Sequence, residues 1–169
     1  MNPATLAIAS DFVKTGMEKA GVPLTASLEA YLSITFARFM HVRIGVDLLT
    51  VRIAKAMDSA APIDTLRALA DECLIACAFF EERLRRNGTV RHYVGLGQVT
   101  YDAARLTEQA YGFVHMRDVI ACAAGRGGED GHILLDRARA GSGTARDELE
   151  KRNVVVGPWS GPRGGLLWR

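Results

Sequence analysis

The sequence predicts an all-α protein: a single helical bundle of about five main helices, with a short extended linker and a C-terminal tail rich in glycine, proline and tryptophan. Three observations carry this reading. Apolar residues recur at three- and four-residue steps through most of residues 1–123. Capping residues stand where those runs begin, and glycine or basic residues stand where they end. No stretch reads clearly as a strand.

The first helix is expected over residues 3–20, with Asn2 as cap, Pro3 at the first turn, Leu6, Val13 and Met17 on one face, and Gly21 as the stop. After Gly21-Val22-Pro23, Thr25 caps a second helix whose stripe runs through Leu28, Tyr31 or Leu32, Thr35 and Phe39 and ends near residues 41–44. Gly45 ends or kinks it, since glycine inside a helix costs about 1 kcal/mol relative to alanine. A shorter third helix follows over residues 46–57. Ser59-Ala60-Ala61-Pro62 breaks the pattern, and Asp64 is then expected to cap a fourth helix carrying Leu66, Leu69, Cys73, Cys77, Phe80 and Leu84. That helix closes in Arg83, Arg85 and Arg86 before Asn87-Gly88, as cations suit a helix C-terminus. An extended piece over residues 89–94 leads to a fifth helix with Leu96, Val99, Ala103, Leu106, Ala110 and Phe113, reaching about Ala123.

Composition changes at Ala124. Residues 124–169 read as a C-terminal extension: a glycine-rich loop, a short helix over HILLDRARA, a GSGT cap or linker, a second short helix over ARDELEKRN, and an irregular end. The bundle is thus assigned to residues 1–123, with the extension packed on the same domain.

With 169 residues, 49% hydrophobic and 24% charged, the chain can bury a core without disulfides or metal. The longest apolar run, residues 73–80, is too short to span a bilayer, and the N-terminus lacks a secretory pattern. Three cysteines, two of them one helical turn apart, argue against a disulfide framework and for a cytoplasmic address. A net charge of +2 from 21 basic and 19 acidic residues provides no global field for nucleic acid.

The stretch ECLIACAFFEERLRRNGTVRHYVGLGQVTY resembles a family of uncharacterised all-helical proteobacterial proteins of similar size. There a Cys-Leu helix leads to Glu-Arg-x-x-Arg-Arg and then to a Tyr-Val-x-Leu-Gly helix start. This chain has Glu81 where that pattern places proline. The resemblance implies an all-α fold; the family has no assigned activity, so no functional residue carries over from it.

Candidate sites were weighed against their structural readings. Cys73 and Cys77, with Cys122, His92 or His115, could ligate zinc, but both thiols fall on the apolar stripe and read as core. Glu108, Tyr111, His115 and Asp118 share one face of the fifth helix, where histidine between two carboxylates could act as a general base or a metal ligand; a solvated face is built from the same residue types. Arg83, Arg86, Arg91 and His92 form a candidate anion site, weakened by the expected pairs Glu81 to Arg85 and Glu82 to Arg86. Gly95-Leu96-Gly97 lacks the third glycine and the strand of a dinucleotide fingerprint, and Glu129-Asp130-Gly131-His132 lacks a continuous helix. Trp159 and Trp168 are candidate anchors for interaction. No metal or cofactor is expected.

The function expected from sequence is a non-catalytic helical interaction or regulatory protein, homo-oligomeric, with an unidentified protein partner as a further option. The alternative is a small-ligand-binding protein or enzyme with a pocket between helices around His115 and the Arg83 to Arg91 cluster.

Overall fold

The computed structural model describes residues 2–86, 88–126, 131–139 and 141–154, and among these every regular element is helical. Helix α1 (Pro3–Ala20) begins where Asn2 Oδ1 accepts from the Ala4 N–H at 3.0 Å. It ends at Gly21, whose φ of 62° lets the Val22 N–H reach back to the Met17 carbonyl. Thr25 caps α2 (Ala26–Phe39) through the Leu28 N–H. The chain then passes through a 3₁₀ turn (Val46–Leu48) into α3 (Leu49–Asp58).

Four local expectations need correction. Helix α4 (Ile63–Phe79) starts after Pro62 with no side-chain cap, so Asp64 stands in its first turn rather than at its cap. Nor does α4 run on to the arginines: Phe80, at φ −121°, breaks it, and α5 (Glu81–Arg85) is a separate short helix. The linker after Gly88 is not extended through residue 94. Thr89 Oγ1 accepts from the His92 N–H, so α6 (Val90–Ala103) begins at once. Finally, the expected fifth helix is two. Arg105 adopts φ 60°, the Leu106 N–H bonds back to the Tyr101 carbonyl, and α7 (Thr107–Ala123) reverses direction. Periodicity continued through this reversal because apolar residues line both sides of it.

Helices α4 and α7 form the centre. Every residue from 71 to 78 is buried, and α7 buries Gln109, Ala110, 112–114 and 116–122. A helix enclosed on all sides shows little amphipathic pattern. Helix α6 packs on α4 and α7, while α1 packs on α7 and α2. The reversal at Arg105 sets Gly97 against Phe113, where an added Cβ would lie 2.2 Å from the ring. Gly95 differs, since nothing lies within 4 Å of its Cβ position. Gly95→Ala is therefore expected to stabilise the protein by about 0.5–1 kcal/mol through helix propensity. A denaturant titration showing a loss would contradict this.

The last two helices, α8 (Gly131–Arg139) and α9 (Gly143–Lys151), form a hairpin with its own small core of Leu134, Ala138, Ala145 and Leu149, separate from the main one. Trp159 and Trp168 lie outside the described residues, as do Glu129 and Asp130. No helix among the described residues is long and apolar enough to cross a membrane.

Candidate functional site

Three buried carboxylates, the neighbours Asp71 and Glu72 and the separate Asp118, organise the polar interior. Asp71, fully buried on α4, accepts from the Tyr31 hydroxyl at 2.5 Å and the Tyr101 hydroxyl at 2.8 Å. Its other oxygen meets Arg38 at 3.3 Å and Arg67 at 4.0 Å, and the Arg67 guanidinium also lies over the Tyr31 ring. Asp71 thus joins α2, α4 and α6 at one point. Burial pushes its carboxyl above the ordinary range despite these donors. Burial and the adjoining Asp71 likewise raise the Tyr31 and Tyr101 hydroxyls, which keeps both protonated and donating to the carboxylate.

Glu72, next in sequence, points elsewhere. It takes a forked pair of contacts from Arg52, each 2.7 Å, and the Gly45 N–H at 3.0 Å, tying α3 and the segment before it to α4.

Asp118 on α7 is the second centre. Its Oδ1 accepts from Arg117 Nη2 at 2.6 Å and from Arg137 Nη2 at 3.1 Å; its Oδ2 accepts from the Ser142 hydroxyl and from Thr144 Oγ1 at 3.2 Å. Both arginine side chains are 1% exposed. Burial alone would raise the Asp118 carboxyl, but Arg117 and Arg137, with the hydroxyl donors, outweigh it and hold it low. Arg137 also donates to the Arg126 carbonyl, and Arg126 to that of Phe79.

The face expected to unite Glu108, Tyr111, His115 and Asp118 is divided. Tyr111 is 80% exposed, and Glu108 and His115 are exposed too, while Asp118 is sealed inside. Glu108 accepts from the Thr25 hydroxyl at 2.6 Å, which lowers its carboxyl and leaves it a surface tie between α2 and α7.

Of the arginine cluster, Arg83 forms a forked pair with Asp47, on the 3₁₀ turn before α3. Arg86, Arg91 and His92 are exposed, and His92 Nε2 lies 3.2 Å from Thr50 Oγ1. Cys73 and Cys77 sit in the core, where the Cys73 thiol donates to the Tyr93 carbonyl and is held protonated by Cys77 beside it and by burial. His92 and His115 face solvent instead, and no group of three or more His, Cys, Asp or Glu among the described residues could hold a metal ion. A cleft of about 390 Å³ between α1, α7 and α9 is lined by Lys19, Cys122, Thr144, Asp147, Glu148 and Lys151, and another of about 380 Å³ lies between α1 and α2. Neither includes His115 or the arginine cluster.

Sequence reasoning missed Asp71, Glu72 and Arg117. The available signal was their position: Asp71 and Glu72 interrupt an otherwise apolar stretch, and Arg117 stands beside Asp118 within the apolar end of its helix. Fold and site define an all-α protein whose helices are joined through three buried, internally paired carboxylates, Asp71, Glu72 and Asp118. No protein-family model, curated protein or solved structure matches the chain.

Proposed function

We propose that the chain is a non-catalytic helical protein of the cytosol that acts by interaction or regulation and associates with itself. In this reading helices α1 to α7 form one bundle that carries the association surface. One observation supports it above the rest. Exposed apolar side chains concentrate between the end of α2 and the start of α3, where Met40, Val42, Leu48 and Val51 are 38%, 55%, 63% and 48% exposed. A contiguous apolar patch marks a surface that another protein covers, and these four side chains are read as one patch. Asp71 and Asp118 fit the same reading, because their oxygens already accept from the protein's own donors and their surroundings serve to join helices.

Sedimentation velocity at micromolar concentrations is expected to show a dimer or larger species. Leu48→Glu combined with Val51→Glu is expected to give a monomer that keeps its helical circular dichroism, since both side chains face solvent in the single chain. A wild type that stays monomeric throughout, or an oligomer that survives both substitutions, would overturn self-association through this segment.

A further inference from the structure

The C-terminal hairpin differs from the rest of the fold in how it is attached. Among the described residues, Leu134, Ala138, Ala145 and Leu149 form a small core of their own, apart from the main one, while α8 also lies against α6. Apolar burial among these four residues joins α8 to α9, and polar contacts contribute strongly to holding the pair on the body. The strongest of these converge on Asp118, which receives Arg137, Ser142 and Thr144 from the hairpin and Arg117 from its own helix. Beside this junction, the cleft lined by Lys19, Cys122, Thr144 and Asp147 already separates part of α9 from α1 and α7.

We propose that the α8–α9 hairpin is a releasable cover, latched to α7 by Asp118 and able to open while the main bundle stays folded. The geometry provides for both states. When the hairpin is seated, two arginines and two hydroxyls satisfy Asp118; when it leaves, Arg117 remains as counter-charge and water replaces the rest. The hairpin keeps its own apolar contacts throughout. Opening uncovers α7 between Val114, which faces Gly141, and Cys122, which lines the cleft. Regions held by few apolar contacts are the ones that open locally in folded proteins.

The three native cysteines report on the two units separately. Cys73 and Cys77 lie inside the main bundle, and Cys122 lies beneath the hairpin. Pulsed alkylation with N-ethylmaleimide, resolved by peptide mass, is expected to label Cys122 faster than the other two in the wild type. In Arg137→Met, which removes the hairpin's charge and keeps the Asp118–Arg117 pair, Cys122 labelling should rise by about tenfold or more, with Cys73 and Cys77 changing less than about twofold. Acceleration of all three together would mean a single cooperative unit and overturn the proposal. No change at Cys122 would overturn the latch. Hydrogen exchange on the wild type provides a check independent of any variant: α8 and α9 amides should exchange well before those of α4 and α7, and equal protection would refute release.

Discussion

Gly16→Ala is expected to destabilise the protein by about 3 kcal/mol, at the upper end of the range for overpacking. Gly16 is where α1 crosses α7. A Cβ there would lie 2.2 Å from the Val119 carbonyl oxygen, 2.9 Å from Val119 Cγ1 and 3.0 Å from the Ala123 Cβ. The first contact is with backbone, so no rotamer change relieves it and the two helices must separate. Alanine's better helix propensity returns only about 1 kcal/mol. Gly112 makes a useful contrast, since its Cβ would meet the Cδ1 of Leu28 at 2.7 Å, the end of a side chain that can turn. Urea denaturation of both variants checks the argument: the Gly16 substitution should cost clearly more, and a loss near zero would mean that α1 is not seated so closely.

Asp71→Ala is expected to cost about 2–4 kcal/mol, because it strands two tyrosine hydroxyls of which Tyr101 is fully buried. Asp71→Asn should cost much less at neutral pH, as the amide oxygen still accepts and Arg38 and Arg67 can turn to solvent. The two variants also separate in their pH response. Burial holds the folded Asp71 carboxyl above its ordinary 3.8, so the folded state keeps a proton that the unfolded chain has released. Stability from this group is therefore full below about 4 and declines as pH rises through the raised value. Asp118 has the opposite sign: its folded carboxyl is held low, so its contribution is complete above about 4 and is lost as pH falls through the folded value. A stability profile should accordingly peak on the acid side of neutral, and Asp71→Asn should remove the decline above that peak. An identical profile for wild type and Asp71→Asn would show that Asp71 does not titrate as its burial requires.

Both predictions rest on contacts that the sequence shows poorly. Helix starts with a local signal were legible: Asn2 and Thr25 cap as their positions imply, and Gly21 stops α1. The break at Phe80 and the reversal at Arg105 were not, since neither residue type favours such backbone and the apolar spacing runs on across each. The candidate site fared similarly. Glu108, Tyr111, His115 and Asp118 share a helical face by spacing, yet the hairpin covers only the last of them.

The amino-acid sequence by itself determined that the protein is helical, where several helices begin and end, and that Cys73 and Cys77 belong to the core. Those properties follow from residues within about one turn of each other, where capping and periodicity operate. Only the tertiary structure decided which charges are buried and what they join. Asp71 meets Tyr31 across 40 positions and Tyr101 across 30, and Asp118 meets Ser142 across 24. A carboxylate is stable inside a protein only when such distant donors arrive together. Their convergence turns two acidic residues, unremarkable in the sequence, into the points that join α2 to α6 and hold the C-terminal hairpin in place.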